Sequence, residues 1–299
     1  MHDLANDQLK SEDIYHFLLI LSICHTVIPQ PKVNENGKTE IQYQASSPDE
    51  YALVKAASLL GFAFKSRSPG SLVVSIKDED YGFKILQVND FNSTRKRMSI
   101  VCRTPEDKTV LFCKGADNVI FERLAKTSEE AHLRAITSDA LESYSKTGLR
   151  TLCLAYRELS DAQYKAWASL FHEASTTLDD RAEKLEMVAE LIEQDLHLLG
   201  CTAIEDKLQV GVPETLQVFA RAGVKVWVLT GDKQETAINI GLSCNLLTPD
   251  MELIVCNGEK DWLTEYLVRN IEDHKTKQTP AKVLFPPTRL LPQMLTTSL

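Results

Sequence analysis

The chain has 299 residues, 43% of them hydrophobic and 25% charged, with 33 Lys and Arg against 42 Asp and Glu and a formal net charge of -9. That length allows two domains with ordinary cores, the composition is that of a globular protein, and the acidic balance argues against a nucleic-acid partner while leaving room for one small anion in a local basic pocket. Seven cysteines, an odd number with no C-x-x-C pair, predict reduced cytosolic thiols and neither a disulfide framework nor a zinc site.

In chain order, residues 1–10 carry no signal-like pattern and are expected to be a flexible N-terminus. "SEDIYHFLLILSICHTVI" sets Ile14, Phe17, Leu18 and Leu21 at helical spacing behind a Ser11 cap, an amphipathic helix that Pro29 and Pro31 end. Its apolar run, "FLLILSIC", is far shorter than the roughly 20 residues that a membrane span needs, so no anchor is expected. "SSPDEYALVKAASLLGF" predicts a second helix, with Ser47 as N-cap, Pro48 in the first turn, Glu50 three residues after the cap and Gly61 beyond the last turn. Four strand-like runs follow, "SLVVSI", "FKILQV", "RMSIVCR" and "TVLFCK", and short links between them predict a meander. Residues 118–147 and 161–194 read as helical, with a strand from Thr151 to Leu159 between them.

Near residue 196 the texture changes. "LHLLGCTAIED" reads as a strand, "GVPETLQVFARAG" as a helix closed by Gly223, "VKVWVLT" as a strand, "KQETAINIGLSCN" as a helix and "ELIVC" as a third strand. Such alternation predicts βαβ units and a parallel sheet. The expected fold class is therefore an α+β domain over 11–195, an antiparallel sheet flanked by helices, followed over 196–257 by an incomplete α/β domain. Residues 258–299, rich in Pro and Thr after about 274, are expected to form an irregular tail.

Several segments carry residues suited to a phosphorylated ligand. Thr230-Gly231-Asp232 follows an apolar run and opens a helix, where unpaired backbone N–H groups can hold phosphate; the same triplet also serves as an ordinary strand-to-helix turn. In "DFNSTRKRMS" Phe91 stands beside Arg95, Lys96 and Arg97, a ring able to stack on a base next to cations able to meet phosphate or ribose, or else a core Phe in a solvated turn. Lys114 ends an apolar strand, and Gly115-Ala116 would let a ligand approach the backbone. Arg150 precedes a buried strand, where a guanidinium usually pairs with an anion. Glu50 is explained equally well as part of a capping box.

Together these segments resemble a family. The motifs "CHTV", "SSPDE", "FNSTRKRMS", "KGAD", "LRTL", "TAIEDKLQ" and "WVLTGDKQETAINI", from Ser11 to about Leu247, resemble the nucleotide-binding domain and adjoining phosphorylation domain of P-type ATPases, specifically the type IV phospholipid-translocating ATPases or lipid flippases. The resemblance implies a haloacid dehalogenase-like fold for the second domain. It also implies an ATP pocket lined by Glu50, Phe91, Lys96, Lys114 and Arg150, with Phe91 on adenine and Lys114 at the back of the cleft. Asp206 and Lys207 would form a hinge, and Thr230, Gly231 and Asp232 would face the γ-phosphate. ATP and Mg²⁺ are the implied cofactors, with phospholipid as substrate and an accessory subunit as a possible partner of a membrane-integral parent whose cytosolic side this segment occupies.

The acceptor aspartate of the family's Asp-Lys-Thr-Gly-Thr loop and its later Gly-Asp-Gly-x-Asn-Asp segment do not occur in this sequence. Asp107-Lys108-Thr109 copies only three letters of the acceptor loop, at a turn between two strands. The chain is therefore expected to bind ATP without catalytic or metal-binding residues of its own, as a fragment of a flippase or, alternatively, as an autonomous soluble ATP-binding or interaction protein. Residues 196–257 are expected to be less stable than the first module.

Overall fold

The structure, a computed structural model, describes residues 12–33, 39–230, 234–255 and 281–284. Helix α1 (Glu12–Ile23) leads into a hairpin of β1 (Ile28–Val33) and β2 (Thr39–Gln44), followed by α2 (Pro48–Leu59). Strands β3 (Phe62–Ser68), β4 (Ser71–Ile76), β5 (Glu79–Asn89), β6 (Arg97–Arg103) and β7 (Thr109–Gly115) form a meander. Helices α3 (Asp117–Phe121) and α4 (Ser128–Lys146) precede β8 (Arg150–Leu159), which pairs antiparallel with β7. Helices α5 (Asp161–Thr176) and α6 (Arg181–Ile192) precede β9 (His197–Ile204), which joins the sheet beside β8. The remaining elements are α7 (Val212–Arg221), α8 (Gln234–Ser243) and the two short strands β10 (Glu252–Val255) and β11 (Ala281–Leu284).

Contacts divide the chain into two compact units, Met1–Leu141 with Thr151–Ile204, and Glu142–Arg150 with Glu205–Leu299. In the first, the seven-stranded sheet β3-β4-β5-β6-β7-β8-β9 has a core on each face. One face packs Met98, Ile100 and Cys102 of β6 and Val110 and Phe112 of β7 against α1 and α2, with Leu19, Ile20, Val54 and Ala57. The other packs Val101, Leu111, Cys113 and Cys153 against α3 to α6, with Ile120, Leu141, Trp167 and Ile192. The alternation follows from the two-residue period of a strand. Because both faces are covered, β6 and β7 read as unbroken apolar runs instead of alternating ones. Fully buried rings such as Phe62, Phe64, Phe83 and Phe112 each contribute about 1.5–3 kcal/mol relative to exposure.

The expected helix over 48–59 forms with Ser47 as its cap, and Gly61 follows at φ +92°, a left-handed conformation that a side chain would resist. The first helix is less one-sided than its spacing predicts. From Leu18 to Ile23 every residue is buried, because α1 sits between the sheet and α2. Two elements were not evident in the sequence pattern. The β1–β2 hairpin runs through Pro29 and Pro31, tolerated because β1 pairs with β2 alone. Strand β3 adds the edge beyond β4.

The parallel domain expected over 196–257 is not shown by the described residues. Its predicted first strand is β9, which closes the edge of the first unit's sheet. The second predicted strand, "VKVWVLT", is coil over 224–230, with Trp227 and Leu229 exposed. An all-parallel strand is stable only with neighbours and cover on both sides, and neither is present among the described residues. Helices α7 and α8 do form. The third predicted strand is β10, which pairs parallel with β11, so a segment read as irregular tail contains a short strand.

Candidate functional site

The polar centre of the first unit begins at the α1–β1 turn, Cys24 to Val27. Cys24 is fully buried, with its thiol directed at the Met98 carbonyl of β6 and its pKa pushed by burial up to about 12. The buried His25 ring donates from Nε2 to the Ser22 carbonyl at 2.8 Å and accepts the Val27 N–H on Nδ1 at 3.1 Å. Burial, reinforced by the Arg67 charge, takes its pKa down to about 3, so it stays neutral and acts as a strut. The turn thereby points Thr26 at α2. Both the Thr26 N–H (3.0 Å) and its hydroxyl (2.6 Å) donate to Glu50 Oε2.

Glu50 sits in the first turn of α2, where the Ser47 hydroxyl accepts its N–H. Its carboxylate does not bend back into a capping box. Oε1 accepts instead from the Lys114 ammonium at 2.7 Å, with side-chain exposures of 15% and 9% for acid and base. Lys114 reaches this face because β7 alternates: Val110, Phe112 and Lys114 share the side that packs on α1 and α2. Burial works to raise the Glu50 pKa, but the Lys114 charge and hydrogen bond and the two bonds from Thr26 outweigh it and hold the carboxyl below its ordinary 4.5.

This depression has a testable sign. Glu190 is likewise held below 4.5, because Arg97 and Arg123 outweigh its burial. Groups whose native pKa is depressed contribute stability that is complete above the unfolded value and is lost as pH falls through the native one. Urea midpoints are therefore expected to be level above pH 4.5 and to fall below it; a midpoint that stays constant well into the acid range would contradict the arrangement.

Phe91 and Lys96 lie in the link between β5 and β6. The pairings Asn89↔Ser99 and Arg97↔Gly115 bring that link to the same end of the sheet as Lys114. Phe91 is 61% exposed, an unusual position for a large ring, and Lys96 is exposed at φ +51°. The two neighbouring arginines turn inward and do not face solvent as a basic cluster. Arg95 and Arg97 are buried in ion pairs with Glu193, and Arg97 also pairs with Glu190. Packing by itself requires Gly115: a Cβ there would lie 2.6 Å from Arg97 Cβ and 2.7 Å from the Lys96 carbonyl oxygen, which accepts the Ala116 N–H.

The other predicted residues fall in the second unit. Arg150 pairs with Asp206 at 2.9 Å, and Lys207 lies 3.4 Å from Glu205. Thr230 is exposed at the end of the coil, and Gly231 and Asp232 lie outside the described residues. Asp107 occupies the β6–β7 turn, 80% exposed, where it pairs with Arg103. Thr26 and the Glu190–Glu193 pair were not singled out from sequence. The acids had a signal, since Glu186, Glu190 and Glu193 stand at i, i+4 and i+7.

The residue types at this sheet end suit a nucleotide: an exposed ring for a base, an exposed ammonium for phosphate, and a paired carboxylate and ammonium that together offer an acceptor and donors. A concavity of about 510 Å³ lies elsewhere, against the β1–β2 hairpin with Pro29, Ile41 and Arg67 in its wall, and does not include them. Among the described residues no group of three or more His, Cys, Asp or Glu is gathered to hold a metal.

A family model described as P-type ATPase, cytoplasmic domain N, matches residues 13–211. The phospholipid-transporting ATPase C887.12 of Schizosaccharomyces pombe is 52% identical over 261 residues, 86% of this chain and 20% of that protein. The phospholipid-transporting ATPase DRS2 of Saccharomyces cerevisiae is 52% identical over 248 residues, 82% of this chain and 18% of that protein. The phospholipid-transporting ATPase FetA of Mus musculus is 45% identical over 280 residues, 93% and 23% of the two chains. The chain thus spans about a fifth of the length of these relatives.

Proposed function

Since the chain belongs to the P-type ATPases, matching their cytoplasmic domain N over residues 13–211, we propose that it binds ATP as the cytoplasmic nucleotide-binding portion of a phospholipid-translocating pump. The observation that carries this reading is the Lys114–Glu50–Thr26 cluster set at the sheet end that also bears the exposed Phe91. In this reading Phe91 stacks on the adenine and Lys96 meets the phosphates. Glu50 and Lys114 form the polar floor, with the carboxylate accepting from the base's amino group and the ammonium directing its remaining N–H donors at ring nitrogen or ribose.

Arg150 completes the nucleotide contacts, Asp206 and Lys207 act as a hinge, and Thr230, Gly231 and Asp232 take the γ-phosphate once the rest of the phosphorylation domain is present. Mg²⁺ would arrive with the nucleotide and be held by residues beyond those described here. Transport of phospholipid, an accessory subunit and attachment to a membrane belong to the longer protein in this proposal. No helix among the described residues is long and apolar enough to cross a membrane.

Calorimetric titration of the chain with ATP, without added Mg²⁺, tests the reading. Binding is expected for the native sequence, and Phe91→Ala is expected to weaken it by about 1–3 kcal/mol, the worth of one base–aromatic stack. Equal affinity in the variant, with its fold intact by circular dichroism, would reject the assignment.

A further inference from the structure

The loop that carries Phe91 and Lys96 is gripped from behind by one face of α6. Asn92 Nδ2 donates to Glu186 Oε1, while its Oδ1 accepts the N–H of Thr94 at 3.1 Å and of Arg95 at 2.7 Å, closing the loop on itself. Arg95 donates from Nη1 to the Asp90 carbonyl at 2.8 Å and from Nη2 to Glu193. Arg97 donates from Nε to Glu193 Oε2 at 2.6 Å, from Nη1 to the Arg95 carbonyl at 3.2 Å and from Nη2 to Glu190. Glu190 also binds Arg123 of the α3–α4 link, and Ser99, backed by Asn89 at 2.9 Å, donates its hydroxyl to Glu193. Glu193 is fully buried, next to the end of α6.

These contacts lie on the face of β6 that carries Val101 and packs on α6, opposite the face of Lys114. They fix the residues on either side of Lys96 inward and leave Lys96 outward in a left-handed conformation. From these contacts we infer that Glu186, Glu190 and Glu193 are positioning residues. They hold the Asp90–Arg97 loop so that Phe91 and Lys96 are presented ready-made, and the loop's order before nucleotide arrives is set by α6 and not by the ligand. Pre-ordering of this kind raises affinity by removing an ordering cost from the binding step. The inference rests on the nucleotide reading for its consequence, but the restraint on the loop can be tested without it.

The experiment compares the native chain with Glu186→Ala, which removes the acceptor for Asn92 at a half-buried helix position, and with Glu193→Gln. The control is Glu158→Gln, which removes an exposed pair with Lys108 on β8. Amide hydrogen exchange is expected to speed up several-fold at 92–97 in both α6 variants, with the β3–β5 amides unchanged. ATP titration is expected to show an affinity loss of about threefold for Glu186→Ala and about tenfold for Glu193→Gln. That loss should largely disappear when either is combined with Phe91→Ala, since the two act through one contact.

Unchanged exchange at 92–97 would overturn the inference, as would acceleration spread evenly over the sheet or an affinity loss undiminished in the Phe91→Ala background. If Glu193→Gln does not fold, Glu186→Ala decides. Absence of ATP binding by the native chain would remove the nucleotide reading while the exchange result still judged the restraint.

Discussion

Glu193→Ala is expected to be the most damaging single substitution in the first unit, at about 3–5 kcal/mol. The residue has no solvent exposure, and the two guanidiniums it neutralises are 7% and 3% exposed. Removing the carboxylate leaves both cations desolvated and takes the acceptor from Ser99. Glu158→Ala, which breaks the Lys108–Glu158 pair at 56% and 46% exposure, is expected to cost no more than about 1 kcal/mol. Urea unfolding of the two variants checks the contrast, and similar losses would mean that the buried network is not what holds α6 to β6.

Lys114→Met should act on both folding and binding. It keeps the side chain's apolar stem and removes the cation, leaving the Glu50 carboxylate to the Thr26 N–H and hydroxyl in a setting that is 15% exposed. A loss of about 1–3 kcal/mol in stability is expected, discounted from the fully buried case because Glu50 retains some water. With the downward pull of Lys114 gone, burial becomes the dominant influence and the Glu50 pKa should rise, which a carboxyl carbon NMR titration follows directly. Under the nucleotide reading, ATP affinity should fall by about 1.5–3 kcal/mol, the worth of a hydrogen bond to a charged group. A variant that binds ATP as the native chain does would remove Lys114 from the site, whatever its effect on stability.

The antiparallel half of the fold was legible because each strand there satisfies its own pairing locally. The runs that became β4 to β7 are apolar and separated by short links, and the helix at Pro48 announces itself by cap, proline and closing glycine. What was not legible depended on partners distant in sequence. "VKVWVLT" has the composition of a buried strand, yet composition supplies no neighbour, and without one it is coil. The predicted strand at 197 has two possible homes by pattern alone and takes the edge beside β8.

The same distinction runs through the site. Lys114 and Phe91 stand out by type and place, and the structure puts both at one sheet end. Glu50 looked satisfied by its helix cap, and only the turn at Thr26, 24 residues earlier, shows where its carboxylate goes. The three consecutive cations from Arg95 to Arg97 look equivalent in sequence. Strand alternation and an acidic stripe some 90 residues away separate two structural arginines from one exposed lysine.

The opposite-sided placement of Lys114 and Arg97 on paired strands also bears on how the sheet assembles. A one-residue slip between β6 and β7 would turn Lys114 toward the helices that should meet Cys113 and Leu111 if β7 moved, or carry Arg97 and Ser99 away from Glu193 if β6 moved. Apolar residues alone would tolerate such a slip, since both strands are oily on both sides. The ionic groups at this end act as a lock with a single key position, so the alignment that sets Lys114 against Glu50 is also the alignment the chain can reach without stranding a charge.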